Sequence, residues 1–159
     1  MEAAERKRLV EGLPDNELPA LWSETLQEMR LRNLIRSHNN PVADFAELYV
    51  ARHFEGTLAA KSMAGYDVLG PDGTRYQVKS RRITTENASR QLGAIRSLEK
   101  DPFDVLIAVL FDVNLVVTEM WSIPIAAVRS LATWTAHVNA HKLIADARLK
   151  TDPSIERLV

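Results

Sequence analysis

Asp67, Gln77 and Lys79 are the residues of this chain whose types and spacing could do chemistry. A carboxylate, an amide and an ammonium on one polar surface suit a hard divalent cation beside a phosphodiester. Such a cation polarises a phosphoryl oxygen and lowers the pKa of an attacking water. Magnesium takes oxygen ligands and uses only one or two protein carboxylates. Asp67 offers a carboxylate. Gln77 offers an amide oxygen, with neighbouring backbone carbonyls. Lys79 can orient the water and balance charge on a pentavalent transition state.

A hairpin positions them. Gly65 to Gly70 and Thr74 to Ser80 read as strands around the turn Pro71-Asp72-Gly73. With Gly73 left-handed, Gly70 faces Thr74, Val68 faces Tyr76 and Tyr66 faces Val78. Tyr66, Val68, Tyr76 and Val78 then form an apolar face. Asp67 lies opposite Gln77 on the other face, with Lys79 two residues further along. A one-residue slip would mix the two sets.

The flanking elements follow from periodicity. Residues 1 to about 13 are polar and expected to fray. Asp15 to Arg36 reads as a helix starting near Glu17. Asn40 and Pro41 open a second helix with Val42, Phe45, Ala46, Tyr49, Val50 and Phe54 on one stripe, stopped by Gly56. Thr57 to Lys61 suggests a short strand. Asn87 to Leu98 reads as a helix with Leu92, Ile95 and Leu98 inward. Phe103 to Phe111, continuously apolar from Val105 onward, reads as a strand covered on both faces. Leu115 to Trp121 is a neighbouring strand. Pro124 to about Ala132 and His137 to Leu149 read as helices. The span from Arg81 to Pro102 is long enough for a helical crossover and a parallel pairing.

At these residues the chain resembles a known family. GYDVLGPDGTRYQVKSRR is similar to the D…(D/E)xK signature of the PD-(D/E)xK nuclease superfamily, in its Q-x-K variant. The resemblance covers roughly residues 40 to 122. It implies an α/β fold: a restriction-endonuclease-like α-β-β-β-α-β core, with a mixed central sheet flanked by helices. One domain of that kind would span 1–159, its core at about 40–122, with the N-terminal helix (about 15–36) and C-terminal helices (about 123–149) as additions. It implies Mg²⁺-dependent cleavage of nucleic acid, Mn²⁺ being an alternative metal, with Asp67 as metal ligand and Lys79 as catalytic lysine. Gln77 stands where an acid normally stands. Many members add a glutamate from the preceding helix, and Glu47 is the matching residue. The small neighbours Ala43 and Ala51 leave room beside it. With a neutral Gln77, metal binding rests more heavily on Asp67 and Glu47. The residue before Asp67 is Tyr66 rather than proline.

Composition bounds this reading. The 159 residues carry a net charge of −1, with 46% hydrophobic and 26% charged residues, so a chain that coats nucleic acid non-specifically is excluded. A local basic patch is not: Lys79 to Arg96 holds Lys79, Arg81, Arg82, Arg90 and Arg96 against Glu86. Arg81, Arg82 and Arg90, with Gln91, are candidate phosphate contacts. The absence of cysteine, of an apolar leader and of any long apolar run suits a cytoplasmic protein without a membrane partner. DNA is favoured over RNA, and a homodimer is expected because cutting two strands needs two sites. His137 and His141 are spaced as helical ligands but lack an acidic partner, so packing is expected of them. For Trp22, Trp121 and Trp134 core or interface packing is expected, not base stacking. The alternatives are a degenerate nuclease fold that binds nucleic acid or assembles without cleaving, and an α/β protein whose trio is an ordinary polar sheet face.

Overall fold

The computed structural model describes residues 1–37, 40–60 and 65–159. His38 and the expected end of the Thr57–Lys61 strand lie outside the described residues. The chain divides into two compact units, Met1–Pro41 and Val42–Val159.

The first unit is helical. Its polar start, expected to fray, forms α1 (Ala3–Glu11), where the Glu2 amide donates to the Glu5 carboxylate at 3.3 Å. α2 spans Leu18–Leu31 with Pro19 in its first turn. It ends five residues before the expected Arg36 because Asn33 turns left-handed (φ 56°). The Asn33 and Leu34 amides then close back onto the Arg30 and Met29 carbonyls, both at 2.9 Å.

The second unit is a mixed α/β fold built on a six-stranded sheet. It opens with α3 (Val42–His53), as the apolar stripe predicts, with Ala46, Val50 and Ala51 buried. The left-handed residue that ends α3 is Glu55 (φ 52°), not Gly56. Gly56 is needed for closeness: a Cβ there would sit 2.8 Å from the Leu69 carbonyl oxygen. β1 (Thr57–Leu58) pairs antiparallel with β2 (Val68–Leu69), and β2 with β3 (Arg75–Arg82). The register Val68↔Tyr76 and Leu69↔Arg75 is the one expected. Gly73 takes φ 86° in the turn.

β3 runs parallel to β4 (Val105–Phe111), which is buried from Leu106 onward. β5 (Val117–Pro124) is antiparallel to β4 and carries β8 (Glu156–Arg157) at its far side. α4 (Ile125–Leu131) follows directly, with Pro124 at its N-cap. One sheet face packs Val68, Val78, Ile107, Val109 and Met120 against α3. The other packs Leu106, Leu110 and Ile123 against α4, Leu92, Ile95 and Leu143.

Two expected helices are absent, for one reason. Asn87 to Leu98 is an irregular crossover with isolated bridges Gln91↔Ile144 and Ile95↔His141, ending in a 3₁₀ turn at Leu98–Lys100. His137 to Leu149 is not a helix: it holds β7 (Ala140–Lys142), which pairs as a ribbon with β6 (Thr133–Thr135), and then enters the short α5 (Arg148–Thr151). Each segment satisfies the other's backbone: the Leu92 and Ile95 amides donate to the Leu143 and His141 carbonyls, both at 2.9 Å. Leu92, Ile95 and Leu98 do point inward, at 1–2% exposure, but in an extended crossing segment. Ser89, Gly93 and Ser97 oppose a helix there, and Asn139 (φ 48°) turns the ribbon.

Candidate active site

The site is set by where the hairpin ladder breaks. Tyr76 has Val68 as its strand partner, yet its carbonyl also accepts from the Asp67 amide at 2.8 Å. Two residues on one strand therefore share one on the other, an arrangement of the β-bulge kind, which re-aims side chains. Its consequence corrects the expected apolar face. Tyr66 packs with the Leu106 cluster, while Val68, Tyr76 and Val78 stay on the α3 side.

The same break frees the Val78 amide, which donates to Asp67 Oδ2 at 2.7 Å. Gln77 Nε2 donates to that same oxygen. Asp67 and Gln77 are thus in direct contact. Among the described residues, Asp67 Oδ1 and Gln77 Oε1 have no protein hydrogen-bond donor.

Lys79 sits two residues along β3, opposite the small Ala108. The crossover covers its stem: a Cβ on Gly93 would lie 3.7 Å from Lys79 Cδ. Burial pushes the Lys79 ammonium below the usual lysine range; Asp67 and then Glu47 pull it back up, and Arg96 lowers it further. Its charge therefore senses two of the expected partners, Asp67 just before β2 and Glu47 from α3. Lys79 itself makes no hydrogen bond or ion pair among the described residues. Glu47 is half-buried, next to the fully buried Ala46.

The basic residues after Lys79 are largely committed to the protein. Arg81 donates to the Ser89 carbonyl and to Asn87 Oδ1, both at 3.1 Å, and so holds the crossover. Arg82 donates to the Val113 carbonyl in the β4–β5 turn. Arg90 grips Glu119 with two hydrogen bonds, 3.0 and 2.7 Å, and also reaches the Ala145 carbonyl. Gln91 is half-buried at its bridge to Ile144. His137 is exposed in a 3₁₀ turn and His141 lies in β7, so their spacing is not helical.

Three contributions were not assigned from the sequence: Gly93 packs on the Lys79 stem, Arg96, named there only within the basic patch, acts on the Lys79 charge, and Arg75 clamps Asp104. The Arg75 guanidinium meets both Asp104 oxygens at 3.1 and 2.8 Å, and its amide donates at 2.8 Å. This fastens the start of β3 to the start of β4, and holds the Asp104 carboxyl below its usual range. An acid directly before an apolar strand was the available signal.

The donors suit a hard cation. Asp67 and Gln77 each keep an oxygen without a protein donor, Glu47 adds a second carboxylate, and the chain has no thiolate. Among the described residues no group of three or more His, Cys, Asp or Glu side chains converges, so at most two carboxylates take part. No protein-family model matches the chain, and a search of curated proteins finds no match.

Proposed function

We propose that the Val42–Val159 unit is a Mg²⁺-dependent nuclease of the PD-(D/E)xK type that hydrolyses phosphodiester bonds of DNA endonucleolytically, with Mn²⁺ able to substitute. A role in restriction or defence suits such an activity. The observation that carries the reading is a cluster of polar groups, each with an open atom: Asp67 Oδ1, Gln77 Oε1 and the half-buried Lys79 ammonium. The order α3-β1-β2-β3-crossover-β4 supports a restriction-endonuclease-like core. The crossover departs from that core in lacking a helix.

Asp67 and Glu47 would hold the cation, with Gln77 Oε1 as a neutral third donor. When bound, the cation polarises the phosphoryl group and makes water a better nucleophile. Gln77 Nε2 and the Val78 amide fix Asp67 Oδ2, which leaves Oδ1 without a protein donor among the described residues. Lys79, held by β3 and the crossover, places positive charge where the phosphoryl oxygens gain negative charge. Its lowered pKa eases proton release. A homodimer would bring two such sites to two strands.

A second reading is a degenerate nuclease fold that binds nucleic acid without cleaving it. It is favoured by Gln77, whose amide replaces a charge, and by the small number of carboxylates. Calorimetric titration with Mn²⁺ separates the two. The nuclease reading expects binding that Asp67→Ala abolishes and Glu47→Gln weakens. Absence of binding to the wild-type chain overturns the nuclease reading.

A further inference from the structure

Trp134, for which packing is expected, is 52% exposed. It stands on β6 opposite His141 of β7 and touches that imidazole edge-on, with ring centroids 5.0 Å apart. β7 is bonded in turn to the crossover: Ile95 and His141 exchange two backbone hydrogen bonds of 2.9 and 2.8 Å. The crossover rests on Lys79 through Gly93, and the Arg96 charge reaches Lys79. Paired backbone thus leads from the candidate site to Trp134. The two ladder steps from Ile95 to Trp134 cover about 10 Å.

The segments of this layer carry no acids of their own, with Glu119, Asp101 and Asp146 at their borders. Residues 87–98 and 120–145 contain no Asp or Glu, in a chain whose net charge is −1. They carry six basic or imidazole side chains: Arg90, Arg96, Arg129, His137, His141 and Lys142. Arg90 and Arg129 are paired with Glu119 and Asp101. Arg96, His137 and Lys142 have no ion pair among the described residues. An exposed indole in such a field fits a polyanion that also presents flat rings. A tryptophan face stacks on a base only where that base is not already stacked in a duplex.

We infer that the β6–β7 ribbon and the adjoining crossover bind single-stranded nucleic acid. A base stacks on Trp134, and the phosphates are drawn to the exposed Arg96 of the adjoining crossover. As a path for substrate this rests on the nuclease reading; as a binding surface it needs no metal. The test is anisotropy of labelled oligothymidylate and oligouridylate, and of a labelled duplex, titrated with the full chain in EDTA. The wild-type chain should bind a single strand more tightly than the duplex, and more weakly as salt rises. Trp134→Ala should weaken that binding roughly 5- to 100-fold, and Trp134→Phe should keep most of it. An unchanged urea midpoint for Trp134→Ala shows that the exposed ring was not holding the fold. Equal binding by Trp134→Ala and wild type, preference for the duplex, or no binding to either single strand overturns the inference. Because EDTA is present, these outcomes are independent of cleavage. Cleavage without a Trp134 effect removes the ribbon alone; Trp134-dependent binding without cleavage removes the nuclease reading alone.

Discussion

Arg90→Ala separates a structural arginine from a substrate contact. The guanidinium makes two parallel hydrogen bonds to Glu119, 3.0 and 2.7 Å, and a third to the Ala145 carbonyl. Glu119 also accepts from Trp121 Nε1 at 2.9 Å, so the pair ties the crossover to β5. The side chains keep 34% and 21% exposure. A hydrogen bond to a charged group contributes about 1.5–3 kcal/mol, and a fully exposed pair about 0.2–1 kcal/mol. Partial exposure puts the loss on Arg90→Ala at about 2 kcal/mol, a fall of about 1 M in the urea midpoint. Arg90→Lys should restore little, because an ammonium cannot present the planar fork. The pH dependence has a definite sign. The Arg90 hydrogen bonds, then that of Trp121, hold the Glu119 carboxyl below the usual glutamate value of 4.5. A depressed acid stabilises the fold above its unfolded pKa and loses that contribution as pH falls through its folded pKa. The gap between wild type and Arg90→Ala should therefore be full above about pH 4.5 and close below it. An unchanged urea midpoint together with weakened nucleic-acid binding would refute the reasoning and make Arg90 a phosphate contact.

Gly56→Ala should destabilise the fold by about 1–3 kcal/mol, because its Cβ would meet the Leu69 carbonyl and Val68 Cγ1, both at 2.8 Å. An unaltered denaturation midpoint would mean that the α3–β1 junction does not pack this closely on β2. Lys79→Met should abolish cleavage and yet raise stability at neutral pH, by roughly 0.5–2 kcal/mol, since it removes an ammonium disfavoured by burial. Because the Lys79 pKa is lowered, that gain should shrink as pH rises through it and the wild-type lysine loses its charge. Thermal denaturation at neutral and alkaline pH checks both points, and a destabilised Lys79→Met at pH 7 would contradict them.

The hairpin was legible because its pleat, its turn glycine and its apolar set agreed on one register, and Val68↔Tyr76 is that register. α3 and β4 were legible for similar reasons: a clean helical stripe and an apolar run long enough for a buried strand. The crossover and the ribbon were not. Leu92, Ile95 and Leu98 recur every three residues, which suits a helix, but the partner that overrides it is Ala140 to Leu143, about fifty residues away. Periodicity records which side chains are buried, not where the amides find their acceptors. Tyr66 was misplaced for a related reason, since the extra amide bond from Asp67 to the Tyr76 carbonyl has no signature in residue types. Of the candidate site, the register pointed to Asp67 beside Gln77, but the ladder break that also brings Asp67 Oδ2 to the Val78 amide has no signature in residue types. The commitment of Arg81, Arg82 and Arg90 to carbonyls and to Glu119 depends on distant loops that local pattern does not see.

The most direct measurement is cleavage of supercoiled plasmid and single-stranded DNA by the wild-type chain, Asp67→Ala and Lys79→Ala, each with Mg²⁺, Mn²⁺ or EDTA. The expected result is metal-dependent cleavage by the wild-type chain that both substitutions abolish while leaving the fold intact. Cleavage that survives either substitution, or no cleavage by the wild-type chain with either metal, would contradict the assignment of Asp67, Gln77 and Lys79 to a phosphodiester-cleaving centre.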